Sequence, residues 1–264
     1  MISAYLNLDK FPIDQPDTDR YNNLVSRCKT DLHKTGLFNL SGFLLAEAAR
    51  QAVDQILPVM SGSSFDHKRK HNIYFQKKMA DLDADHPALK EYETINRTVC
   101  ADQIAGSIPL QLYNWQPFIN FLTEIMELPR LHVMDDDLAC VNVMAYRDSE
   151  ALNWHFDRSE FTTTLLLQAA NAGGEFQYKT GLRSDLNPSY DNIAEFLTGD
   201  QRDIETLPLA AGTVNIFRGR NTLHRVSPVK GNQERIITVF SYYQKPGVRF
   251  SREEQLGFYG RSNV

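Results

Sequence analysis

Between Ala139 and Tyr243 the chain carries short apolar runs separated by turn residues, and no other feature restricts its fold as much. Ala139–Tyr146 and Phe161–Gln168 are rich in β-branched and aliphatic side chains. Gly173-Gly174 turns into Glu175–Tyr178, Leu207–Phe217 carries Gly212 ahead of an apolar run, His224–Val229 follows a polar corner, and Arg235–Tyr243 closes the series. Side chains branched at Cβ pack well on a pleated surface, and these runs are shorter than a stable helix needs. Short strands at regular spacing are read as a double-sheet, cupin-like jelly roll. The fold class expected is mainly β with flanking helices, with its core over about 138–245.

The segment 41–130 reads as helical support. Ala49, Val53, Ile56, Leu57 and Met60 form one apolar stripe on a helix over Ala46–Met60. Pro87–Ile104 is a second helical candidate, and Pro117 suits the first turn of a third over Phe118–Met126. Ser61–Phe75 between these helices reads as a polar, mobile loop. The insert at about 181–205 is long for a loop and reads as a lid with a short helix around Asn192–Leu197. At 264 residues and 42% apolar content, one domain over 1–264 has enough material for its core.

Within this core His155-Phe156-Asp157 is followed 67 residues after Asp157 by His224. At a strand end, two-residue spacing places His155 and Asp157 on one side and Phe156 on the other. Two imidazoles and one carboxylate are the set that holds non-haem Fe(II) on one octahedral face and leaves the other face open. The triplet alone is weak evidence, since two histidines can also be satisfied core groups. Arg235 opens an otherwise apolar strand, so its guanidinium requires a buried anion: a ligand carboxylate, or Glu234 or Asp157. Trp154 reads as packing, and Arg158 and Arg225, each next to a proposed ligand, read as supporting or surface charges.

The order of these parts resembles the Fe(II)/2-oxoglutarate-dependent oxygenases, whose core is a double-stranded β-helix. The resemblance covers roughly Cys140–Tyr243: H-x-D, Gly173-Gly174-Glu175, a glycine turn, His224-Arg225-Val226-Ser227-Pro228-Val229, and an arginine eleven residues after His224. Thr180–Ser184 and Phe258–Arg261 look most like the small stand-alone branch that hydroxylates or halogenates free amino acids. The resemblance implies His155, Asp157 and His224 as ligands of Fe(II), with 2-oxoglutarate and O2 as cosubstrates. It gives Arg235 the distal carboxylate of 2-oxoglutarate, with Tyr146 and Thr164 as further cosubstrate contacts. Relatives often place a hydroxyl two residues after this arginine; here that position is Ile237, and Thr238 should face the other side of the strand. Halogenating members carry a small residue in place of the metal carboxylate, so Asp157 implies hydroxylation of an unactivated C–H bond. Arg158, Asn142 and Ser241 are candidate contacts for a small polar substrate, a free amino acid first.

A formal net charge of −5 argues against a nucleic-acid partner held by a basic surface. Lys68-Arg69-Lys70-His71 is the one dense basic run, read as a solvated loop first and an anionic-substrate contact second. Three cysteines without metal-ligand spacing, Cys28, Cys100 and Cys140, suit a reducing compartment, and with no leader or membrane-length apolar segment the expectation is a cytoplasmic protein without a membrane partner. Monomer and homodimer both stay open. So do a protein or nucleotide hydroxylase using the same site, and a non-catalytic metal-binding jelly roll.

Overall fold

The computed structural model describes residues 1–76, 79, 82–199, 201 and 203–264. Its strands are β1 (Leu37–Leu40), β2 (Phe65–His71), β3 (Tyr92–Cys100), β4 (Val141–Tyr146), β5 (Leu152–His155), β6 (Thr162–Gln168), β7 (Phe176–Lys179), β8 (Glu205–Leu207), β9 (Val214–Phe217), β10 (Leu223–Val226) and β11 (Arg235–Phe240), besides four two-residue pieces. They form a seven-stranded sheet in the order β1-β9-β6-β11-β4-β3-β2 and a four-stranded sheet in the order β8-β7-β10-β5. All these pairings are antiparallel. The two sheets and the flanking helices are the mainly β, jelly-roll architecture expected.

The alternation of side chains in the large sheet separates support from site. Ile236 and Phe240 of β11, Val141, Val143 and Ala145 of β4, and Leu165 and Leu167 of β6 join one apolar core with the helices. Their neighbours Arg235, Ile237 and Val239, Asn142, Met144 and Tyr146, and Thr162 and Thr164 line a cavity between the sheets. Thr238 is wholly buried outside that lining, on the helix side of its strand as expected.

The helices are α1 (Asp19–Thr35), α2 (Ala46–Ser63), α3 (Ile108–Tyr113), α4 (Gln116–Ile125), α5 (Tyr190–Thr198) and α6 (Arg252–Tyr259). Thr18 caps α1 by accepting from the Tyr21 amide, and Gly36 ends it at φ +77°, a conformation that suits glycine. In α2 the stripe of Ala49, Val53, Ile56 and Met60 is buried, while Leu57 is exposed, so the expected stripe was one residue too wide. Pro117 lies in the first turn of α4, as expected.

Two expectations fail in the same region. Pro87–Ile104 is not a helix but a short 3-10 turn at Pro87–Leu89 followed by β3. Thr94, Ile95, Thr98 and Val99 supply the β-branched content, and β3 lies between β2 and β4 in the sheet. Ser61–Phe75 is likewise not a loop, since β2 pairs with β3 over its whole length. The insert 181–205 does carry a helix, α5, but none of its described residues lines the cavity. Phe196 of α5 packs edge-on against Trp154, and Arg183 lies 4.6 Å from the Phe156 ring centroid. Its described residues therefore brace the back of β5 and do not line the cavity.

The C-terminal segment closes one wall. Asp136 is buried, and its carboxylate accepts from the amides of Leu138, Ala139 and Phe250 and from the Gln255 side chain of α6. Four donors converge on one carboxylate and tie α6 to the core. Asp136→Ala leaves them unpaired, so stability should fall by on the order of 3 kcal/mol, with new protease cleavage near α6. Urea unfolding and limited proteolysis check this; an unchanged midpoint with α6 still protected would show that apolar packing alone holds the wall.

Candidate metal centre and cosubstrate pocket

Antiparallel pairing of β10 with β5 places His224 directly opposite His155, and their ring centroids lie 4.1 Å apart. β5 ends at His155, and the next two residues turn out of the sheet with Phe156 stacked on Tyr74 and Asp157 facing the histidines. His155 Nδ1 meets the Asn153 carbonyl at 2.7 Å, and His224 Nδ1 meets the Thr222 carbonyl at 2.9 Å. Each Nδ1–H therefore donates to its own strand, which leaves each Nε2 as a bare lone pair. Those lone pairs face the Asp157 carboxylate, with His155 Nε2 at 3.4 Å from Oδ1 and His224 Nε2 at 3.5 Å from Oδ2.

Burial, and secondly the His155 ring, push His224 down to about 4, so it is neutral at physiological pH. Burial alone would raise the Asp157 carboxyl, but the neighbouring His224 and His155 and a hydrogen bond from Thr162 outweigh it and hold it well below the usual carboxylate range. Three donor atoms thus lie within 4.8 Å of one another with lone pairs converging. A metal ion at their meeting point would be held by a two-nitrogen, one-oxygen face, the set that suits iron(II). The donor set fits the metal that the sequence implied.

Gly219 makes this arrangement possible. Its carbonyl accepts from the Asp157 amide at 3.0 Å. A Cβ on Gly219 would stand 2.3 Å from Thr162 Oγ1 and 2.5 Å from Asp157 Oδ2, inside any allowed contact. Neither Gly219 nor Thr162 stood out in the sequence. The signal for Thr162 was its place five residues after Asp157 at the start of a strand, and Gly219 was hidden in a polar corner.

At the other end of the cavity Arg235 is 1% exposed, and its Nη1 has no hydrogen-bond partner among the described residues. Glu234, the alternative partner, instead pairs with Arg97. Burial pushes the Arg235 guanidinium down to about 10, which still leaves it charged. Gly174, at φ +62°, lets the side chain pass, since a Cβ there would meet Arg235 Cδ at 3.0 Å. Arg235 pairs across the sheet with Tyr146, and its guanidinium lies 5.9 Å from that ring's centroid. The Tyr146 hydroxyl has only the Met144 sulfur, at 3.6 Å. A buried cation with an orphaned donor beside a nearly free phenol fits a carboxylate.

The structure separates the other expected residues. Thr164 lines the same cavity, but it pairs with Val239, four residues along β11 from Arg235, so it is not a neighbour of that guanidinium. Ser241, Asn142 and Arg158 also line the cavity. Asn142 is committed to the Leu138 carbonyl and the Tyr259 hydroxyl, and Arg158 to Glu254 at 2.7 Å. Arg225 stacks on Trp154 and bonds Gln177, outside the lining. The basic run Lys68–His71 is not the solvated loop expected first but the second half of β2, and its Arg69 enters the lining beside His67, which sequence reasoning did not single out. His71 of the same strand bonds the Thr94 hydroxyl and stands edge-on to His155. The cavity holds about 800 Å³, room for a cosubstrate and a small molecule together.

The family description Halogenase D matches residues 21–254. No curated protein matches the chain by sequence at a significant level. Among solved structures, the chain is similar to a 2OG-Fe(II) oxygenase family oxidoreductase from Burkholderia pseudomallei at 15% identity and a TM-score of 0.52, covering 85% of this chain and 92% of that one. The non-heme alpha-ketoglutarate-dependent epimerase SnoN of nogalamycin biosynthesis is similar at 14% identity and a TM-score of 0.59, covering 84% and 83%. A Pseudomonas putida prolyl-4-hydroxylase is similar at 13% identity and a TM-score of 0.52, covering 84% and 99%. At these identities the structural likenesses establish the shared fold.

Gly219→Ala should displace the Asp157 carboxylate and weaken Fe(II) or Mn(II) binding about tenfold or more, the range seen when a ligand's support is lost. Calorimetric titration with Mn(II) checks this, and unaltered affinity would mean that the contact is relieved without moving the carboxylate. The metal-free protein should also be acid-sensitive. His67, His71 and His224 are each held down to about 4 by burial. In the unfolded chain they take up protons near pH 6.5, so stability is full above that value and falls as pH drops toward 4. A melting temperature that stays flat across this window would contradict the assignment of these three as buried and neutral.

Proposed function

The chain belongs to the Halogenase D family, and we propose that within it this protein hydroxylates a free amino acid or a similar small polar metabolite. It is a 2-oxoglutarate-dependent Fe(II) oxygenase carrying the H-x-D…H triad His155, Asp157 and His224. The observation that carries the hydroxylase reading is Asp157. A halide needs a vacant metal position, and here an ionised carboxylate, fixed by Thr162 and backed by Gly219, occupies the third protein position. The family description favours halogenation as the second reading, but the donor set at residue 157 supports oxygen transfer.

His155 Nε2, His224 Nε2 and Asp157 would hold the iron. Bound together, iron and 2-oxoglutarate supply O2 activation coupled to loss of CO2 and formation of succinate, with one oxygen atom available for the substrate C–H bond. The chain itself contributes position and dryness. Arg235 anchors the distal carboxylate of the 2-oxoacid with the Tyr146 hydroxyl beside it, while Leu166, Val229 and Ile237 enclose that end in apolar contact. Phe75, Phe176 and Phe217 pack around the two imidazoles at ring separations of 4.7–5.6 Å and keep bulk water from the ligand atoms. The open part of the cavity takes the substrate.

Purified protein supplied with Fe(II), 2-oxoglutarate, 18O2 and a metabolite pool should release succinate and add one heavy oxygen to a single pool component. A product carrying chlorine and no oxygen in chloride buffer would overturn the hydroxylase reading. Arg235→Lys keeps the charge but loses the planar fork, so KM for 2-oxoglutarate should rise about tenfold or more with a smaller effect on substrate. An unaltered KM would place the distal carboxylate on another cation.

A further inference from the structure

β5, the strand that ends at His155, is an edge of the small sheet, and its ladder partner there is β10. On its other side it meets β3 of the large sheet. Just ahead of β5 one backbone bond crosses, from the Ile95 amide to the Ala151 carbonyl at 3.2 Å. Beyond that point side chains take over. The Thr94 hydroxyl oxygen accepts from the Asn153 amide at 3.2 Å, and the Asn153 side-chain amide donates to the Glu93 carbonyl. Thr94 is 1% exposed, so its hydroxyl cannot be replaced from solvent. The carbonyl of the same Asn153 receives the Nδ1–H of His155.

His71 continues this row on the far side of Thr94. Its Nδ1 meets the Asn72 carbonyl at 2.9 Å and its Nε2 meets the Thr94 hydroxyl at 2.6 Å. A carbonyl can only accept, so Nδ1 carries the proton and Nε2 accepts from Thr94. The bonds then run in one direction: His155 donates to Asn153, Asn153 to Thr94, Thr94 to His71, and His71 to Asn72. Turning any one of them round would set donor against donor. A second contact joins the same two histidines. The Phe75 ring stacks on His71 at 4.4 Å and meets His155 edge-on at 5.3 Å. Phe75 has φ +55°, which a bulky side chain rarely adopts. Asn72 imposes it, for this buried side chain accepts from the amides of Tyr74 and Gln76 and donates to the Gln76 carbonyl. Backbone strain of this kind persists only where the surrounding structure holds it, and it gathers at functional sites.

We propose that Thr94 and His71 are positioning residues for the metal centre, which act through Asn153 to set the tautomer and tilt of the ligand His155. The inference rests on the iron centre and is independent of which group is transferred to substrate. Neither residue lines the cavity, so an effect of either on the metal has to pass through Asn153 or, for His71, through the Phe75 ring as well. Without the Thr94 hydroxyl, the Asn153 amide and His71 Nε2 would both lose their buried partner. The backbone that carries the Asn153 carbonyl would then be free to shift, and the imidazole that depends on that carbonyl would shift with it.

The test measures Mn(II) binding to the full chain by calorimetry in the presence of 2-oxoglutarate, well below the melting temperature of each variant. The charge-transfer absorption of the anaerobic Fe(II) and 2-oxoglutarate complex is read in parallel. Thr94→Val removes the hydroxyl at nearly constant shape, so it should raise the Mn(II) dissociation constant about tenfold and shift the absorption band. Thr94→Ser keeps the hydroxyl and should stay within about twofold of the parent, with the band in place. His71→Leu should match Thr94→Val. Because both break one relay, the double variant should bind no more than about twofold worse than the weaker single variant. A role confined to the fold would lower the melting temperature and leave the dissociation constant and the band unaltered, and that result overturns the proposal. So does a Thr94→Ser variant as weak as Thr94→Val, or single effects that multiply in the double variant. Should Thr94→Val not fold, His71→Leu alone decides by the same two readings. If the parent itself does not bind Mn(II), the metal centre is wrong and the proposal falls with it, a failure visible before any variant is compared.

Discussion

The structure depends on the convergence of three donor atoms at one point between its two sheets. Two imidazoles and one carboxylate bring their ligand atoms within 4.8 Å of one another, and each side chain is held in orientation by a neighbouring group. The Asn153 and Thr222 carbonyls fix the tautomers, Thr162 fixes one carboxylate oxygen, and the missing side chain of Gly219 gives that carboxylate its space. The same contacts support the proposed hydroxylation, because a carboxylate held at residue 157 stands in the protein position that a halide would need.

The two sheets set the distances around that centre. The small sheet brings His155 and His224 face to face across one ladder, with the 181–205 insert packed behind it. The large sheet carries Arg235 and Tyr146 at one end of its inner face and, two strands further on, His67 and Arg69. Its outer face is filled by the apolar core under α2, α3 and α4, which gives the strands a rigid backing. Two guanidiniums, Arg235 and Arg69, thus line the cavity from one rigid surface opposite the metal ligands.

Much of this was legible in the sequence where local pattern and function agree. The strands around the metal ligands, the paired spacing of His155 and Asp157, the outward turn of Phe156, the far side of Thr238 and the lone Arg235 all follow from alternation and the cost of burying charge. Legibility failed where the inner face of a strand is the functional face. In β2 the inward residues are His67, Arg69 and His71, and the outward ones Asp66, Lys68 and Lys70, so both faces are polar and the period of two is invisible to hydrophobicity. β3 failed for the opposite reason: Cys100, Val99, Thr98 and Arg97 are buried in succession, and a run without alternation preceded by proline imitates a helix start. Gly219 could not be read at all, because what it provides is the absence of an atom beside a side chain 62 residues away in sequence.

The most direct measurement of whether the Asp157 carboxylate closes the metal to halide is an anaerobic titration. Protein loaded with Fe(II) and 2-oxoglutarate is titrated with chloride and with azide while the metal-to-ligand charge-transfer absorption is followed, for the parent chain and for Asp157→Gly. The parent spectrum should not respond to either anion, and Asp157→Gly should show a saturable shift with both. Saturable chloride binding to the parent protein, or an Asp157→Gly spectrum that ignores both anions, would contradict the placement of this carboxylate on the iron.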